Sequence, residues 1–167
     1  EEAHEVFSPE VEEFLHRELP LAMERFEGLE RRVHDGMGNP DAVFELHEFM
    51  IDIAERAREL AELKTDNHEG YEALKRETQL ELQLHMMAEE FHHAREDEAR
   101  ARIREEVEAV LNEAFEVSQR LRELEARQIE RELDEIRRLL EQRMERRDLI
   151  IERRLNELLL GVDPYEW

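Results

Sequence analysis

Apolar residues recur in steps of three and four along most of the chain, the period of an α-helix that buries one face. Ser8-Pro9-Glu10 marks the first helix start, with Ser8 as N-cap, Pro9 at the first helical position and acids where the helix dipole favours them. Pro20 has no N–H to donate, so it should kink that helix or split it in two. Beyond it Ala22, Phe26, Leu29 and Val33 line one face, until Gly36-Met37-Gly38 supplies the backbone freedom of a turn. Asn39-Pro40-Asp41 restarts a helix by the same logic, with Val43, Leu46, Met50, Ile53, Ala57 and Leu60 as its stripe. The break over residues 65–70 is short and rich in capping residues, which predicts that the second and third helices lie antiparallel. The third opens near Tyr71 and presents Leu80, Leu84, Met87, Phe91 and Ala94.

From Tyr71 to Leu160 the chain contains neither Gly nor Pro. The segment Arg95-Glu96-Asp97-Glu98 fits either a tight turn capped by Asp97 or an unbroken helix. A helix from Glu98 to Leu160 would be on the order of 90 Å long, more than one small domain covers, so it needs a partner. Ile103, Val107, Val110, Ala114, Val117, Leu121 and Leu124 alternate spacings of four and three, the heptad of a left-handed coiled coil. The period then lengthens. Ile129, Leu133 and Ile136, then Leu140, Met144 and Arg147, then Ile151, Leu155 and Leu158 form an 11-residue repeat, which suits a nearly straight or slightly right-handed helix. Arg147, its one polar member, either fixes register or snorkels outward. Gly161 closes the helix, and Tyr165 and Trp167 in the last six residues either dock on a partner or cover the helix end. The expected fold is all-α: an antiparallel helical bundle in residues 1–95, a long coiled-coil helix in 96–161 and a short aromatic tail in 162–167.

Composition sharpens this picture. Charged residues make up 42% of the chain against 40% hydrophobic, dense enough to solvate the outer faces of long helices. Asp and Glu number 46 against 24 Lys and Arg, and a net charge of -22 repels nucleic acid and anionic lipid surfaces. Only Lys64 and Lys75 are lysines; the remaining cations are Arg, the better partner for Glu along helix surfaces. Cys is absent, which removes disulfides, thiolate metal sites and cysteine nucleophiles. No apolar run approaches the roughly 20 residues of a membrane span. The sequence begins at Glu1 rather than Met, and export with loss of a leader is the expectation drawn from that start.

Candidate chemistry concentrates in one segment. His85, Glu89 and His92 fall on one helical face with His93 beside them, a donor set that suits Zn, Ni or Cu, and Met86 and Met87 are soft neighbours. This face lies nearly opposite Leu84, Met87 and Phe91, so the competing expectation is a solvated polar face. Glu13-x-x-His16 and Glu89-x-x-His92 resemble the element from which ferritin-like di-iron bundles build their sites, but both pairs point away from the apolar stripe, where such sites need inward ligands. His47 borders the second helix's stripe as a boundary histidine. No nucleophile stands beside a base in sequence, and Gly36-Met37-Gly38-Asn39 follows a helix rather than the strand of a phosphate loop.

Two functions are expected. The first is a non-enzymatic structural or adaptor protein, a homo-oligomer or the partner of another helical protein, acting through the apolar seam from Ile103 to Leu158. The second starts from composition: without Cys and with helices rich in Arg, Glu, Met and His, the chain resembles the small periplasmic helical chaperones and metal sensors. That resemblance implies an envelope protein that binds metal or clients through the His85 face, although the Leu-Thr-x-x-Gln signature of those chaperones does not occur.

Overall fold

The computed structural model describes residues 7–36 and 39–160. Among the described residues there are six α-helices and no strand: α1 (Pro9–Glu18), α2 (Pro20–Asp35), α3 (Pro40–Asp66), α4 (His68–His93), α5 (Asp97–Glu145) and α6 (Arg147–Leu160). The protein is therefore all-α.

Local chemistry sets the helix ends. Ser8 Oγ accepts from Val11 N, and Asn39 Oδ1 accepts from Asp41 N at 3.1 Å, each satisfying a backbone donor that has no partner within the helix. Pro20 splits the first helical segment, because the chain leaves helical geometry at Leu19 (φ -133, ψ 61) and re-enters with Pro20 at the first position of α2. Asn67 alone separates α3 from α4, and its Oδ1 accepts from Gly70 N at 3.0 Å. A Cβ on Gly70 would lie 2.6 Å from Asn67 Nδ2, so a larger residue there would push the capping side chain aside. Residues 94–96 form a break rather than continuous helix: Ala94 is extended (φ -66, ψ 127) and α5 opens at Asp97.

Two compact units divide the chain, Glu1–Arg122 and Glu123–Trp167, and the division falls within α5. In the first unit Leu15, Leu19, Ala22, Met23 and Phe26 meet Ile53, Ala57 and Leu60 of α3 and Tyr71, Leu74 and Leu82 of α4 in one core. Leu15, Leu19 and Leu60 are fully buried, each a contribution of about 1.5–3 kcal/mol relative to exposure. Helix α4 departs from the single stripe expected for it. Leu80 and Leu82, about 200° apart on the helix, are both buried, while Leu84 and Met87 are half-buried and Phe91 is exposed. Leu82 belongs to the shared core and Leu80 lies outside it, so two faces of α4 are covered. Helix α5 approaches through side chains: Arg76 Nε donates to Glu113 at 2.7 Å, Arg120 pairs with Glu69, and Leu121 packs on the core.

The second unit comprises the remainder of α5 and α6. Arg146 forms a one-residue turn between α5 and α6, yet its N–H still reaches Gln142 O (3.2 Å) and its carbonyl accepts from Ile150 N (2.9 Å). The hydrogen-bond ladder therefore carries one helical face across the interruption.

Candidate functional site

Helix propensity favours the second unit's backbone, through a run rich in Arg, Glu and Leu without Gly or Pro. Ion pairs one turn apart lace it: Arg137 to Asp134 at 3.1 Å, Arg153 to Glu157 at 3.0 Å and Arg127 to Glu123 at 3.5 Å. Such exposed pairs add only about 0.3–0.5 kcal/mol each, so they support the helix without anchoring it. Every residue from 125 to 156 is exposed. The 11-residue repeat lies open along its length: Ile129 is 65% exposed, Ile136 54%, Met144 69% and Leu158 66%, with Leu133, Leu140, Ile151 and Leu155 between them. Single chains rarely leave so long an apolar stripe in water unless something binds it.

The heptad that precedes this stripe has a different environment. Ile103 is buried, Val107, Val110, Val117 and Leu124 are half-buried, and half-buried Leu121 packs on the core of its own chain. Of the expected association residues, those from Ile129 onward thus form the continuous open face. Tyr165 and Trp167 lie outside the described residues.

His85, His92 and His93 are exposed and Glu89 is half-buried. His93 Nδ1 lies 2.7 Å from Glu89 O, one turn back on the same helix. Among the described residues no three His, Asp or Glu side chains converge as a metal cage. Glu13, His16 and His92 also face solvent, as does His47, and His16 lies 3.8 Å from Glu12.

A groove of about 550 Å³ runs along α2, α3 and α4, lined by Arg25, Phe49, Asp52, Arg56, Glu81 and His85 among others. The Arg25 guanidinium stacks over Phe49 at 5.2 Å, and its buried Nε has no hydrogen-bond partner among the described residues. Burial lowers the Arg25 pKa from its ordinary value and raises that of Glu81.

The strongest electrostatic feature is one that sequence reasoning missed. Glu18, at the end of α1, is buried and accepts from Lys64 Nζ (2.7 Å), Lys75 Nζ (2.8 Å), Tyr71 Oη (2.7 Å) and Arg17 Nε (3.0 Å). Hydrogen bonds from the two lysines, then from Tyr71, hold its carboxyl far below the ordinary carboxylate range despite burial. Burial, and then the hydrogen bond to Glu18, raises the Tyr71 phenol. Both lysines of the chain are used here, which was the available signal: in a protein whose other cations are Arg, two lysines flank one buried acid. With all four donors converging on one carboxylate, the cluster is a structural lock joining α1, α3 and α4.

No protein-family model, curated protein or solved structure matches the chain. Nor is any helix among the described residues long and apolar enough to cross a membrane.

Proposed function

We propose that the protein is a non-enzymatic structural or adaptor protein in which an antiparallel N-terminal helical bundle carries a helix that self-associates as a coiled coil through residues 129–158. The observation supporting this reading is the uninterrupted exposure of residues 125 to 156, a stretch that includes the 11-residue apolar repeat from Ile129 through Leu155. The core of the first unit is sealed by its own side chains, whereas these leucines and isoleucines have no cover. Burying them against another helix supplies the driving force for association, at about 25 cal/mol per Å² of apolar surface removed from water. The heptad from Ile103 to Leu121 contributes less, because part of it already packs within its own chain.

Sedimentation equilibrium tests the reading. The wild-type chain is expected at twice its 20.2 kDa mass or more at micromolar concentration. A variant carrying Ile136→Glu and Leu155→Glu is expected at the single-chain mass with its helix content largely kept. A wild-type monomer would remove the proposal.

A further inference from the structure

We infer that the second unit pairs with a second copy of itself in antiparallel sense, with Ile136 of one chain opposite Ile151 of the other. The inference rests on the self-association reading and adds orientation and register to it.

The argument starts from what flanks the seam. With 11 residues in three turns, each residue advances about 98°, and Ile129, Leu140 and Ile151 fall on one line at the centre of the stripe. One flank then carries Glu132, Leu139, Arg143, Ile150 and Arg154; the other carries Glu130, Arg137, Glu141, Asp148 and Glu152. The first flank thus carries apolar residues at its middle, whereas the second is charged from Glu130 to Glu152 and turns apolar only at Leu159. Leu139 is 59% exposed and Ile150 39%, so both lack cover in the single chain.

Antiparallel pairing brings each flank against its own counterpart, whereas parallel pairing brings each against the opposite flank. In the antiparallel register Leu139 meets Ile150 twice by symmetry, and Glu132 meets Arg154 at both ends of the same flank. Across the other flank Arg137 meets Asp148. Their present intrachain partners, Asp134 for Arg137, Arg147 for Asp148 and Glu157 for Arg154, are exposed contacts that exchange at little cost. Arg147 then packs beside Leu140 of the second copy, and its charged end snorkels past it. Arg143 faces its own copy near the two-fold axis, and on the other flank Glu141 comes beside Asp148 of the second copy, the like-charge approaches of this register; both lie at the solvent-exposed rim, where such pairs cost little.

Parallel pairing would also satisfy some charges, Glu132 with Arg137 and Arg143 with Asp148, so charge alone does not choose. Two other features do. Parallel chains would place Arg147 against Arg147 inside the seam, and would press Leu139 and Ile150 onto the charged stretch from Glu130 to Glu152 of the other flank. Antiparallel pairing avoids both.

Since the chain has no Cys, introduced thiols report pairing without background. In the proposed register Ile136 of one chain and Ile136 of the other stand about 22 Å apart, far beyond disulfide reach, whereas Ile136 and Ile151 are adjacent. An oxidised mixture of Ile136→Cys and Ile151→Cys full-length chains is expected to form the mixed disulfide, and neither variant alone a dimer. A covalent dimer from Ile136→Cys alone would establish parallel pairing and overturn the inference. Absence of the mixed disulfide while sedimentation still gives a dimer would overturn it and leave self-association standing; a monomer in sedimentation would remove both.

Discussion

The two units are built from similar residues yet solve opposite problems. In residues 7–122 the side chains of Leu15, Leu19, Leu60 and Leu80 are completely withdrawn from water, and a buried carboxylate is matched by four donors. In residues 123–160 the leucines are as regular, but none in the described stripe is covered. The difference teaches that regular apolar spacing specifies a face to be buried and leaves open what buries it. A sealed core stabilises one chain; an open seam stabilises an assembly.

The sharpest way to break the contrast is to hollow the sealed unit. Leu60→Ala should destabilise it by about 3–4 kcal/mol, read as a loss in urea midpoint, because lost transfer energy and a residual cavity add. Glu18→Ala should cost about 3 kcal/mol, at the lower end for a broken buried pair, since Lys64 is 44% exposed at its side chain and can return to water. A smaller effect comes from acid. Because the folded carboxyl of Glu18 is held far below its ordinary range, its stabilisation is complete above the unfolded value of about 4.3. It drains away as pH falls further, because the unfolded chain takes up the proton first. Wild-type stability should therefore fall from about pH 5 towards about pH 3, and Glu18→Gln should fall less steeply over the same interval. Ser8→Ala, which removes the cap of α1, should cost about 1 kcal/mol. Smallest of all, Ile136→Glu should change the unfolding free energy of the sealed unit by no more than about 0.5 kcal/mol while weakening association, because that side chain is 54% exposed in the single chain.

These contrasts also mark how far the sequence could be read. Helix starts were legible at Ser8, Pro20 and Asn39 because capping and proline chemistry are local. The stripe of α3 was legible at Ile53, Ala57 and Leu60, which are buried, although Val43 at its start is exposed. Helix α4 was read poorly because it is covered on two faces, and a pattern search that assumes one face selects Leu84 and Phe91 over Leu74 and Leu82. The Glu18 lock has only the rarity of lysine as a sequence signal, because its partners Lys64, Tyr71 and Lys75 lie 46, 53 and 57 residues away, joined by tertiary packing. For the candidate site, the positions of the seam followed from spacing; that its first part is packed within its own chain did not, since heptads are identical whether the neighbour is intramolecular or a second copy.

Hydrogen exchange of the full chain at increasing concentration tests most directly that residues 129–158 are covered by another copy. The account predicts that amides in this stretch gain protection from submicromolar to tens of micromolar protein, while those around Leu15, Leu60 and Leu74 exchange at one concentration-independent rate. Protection of residues 129–158 that does not change with concentration would contradict it.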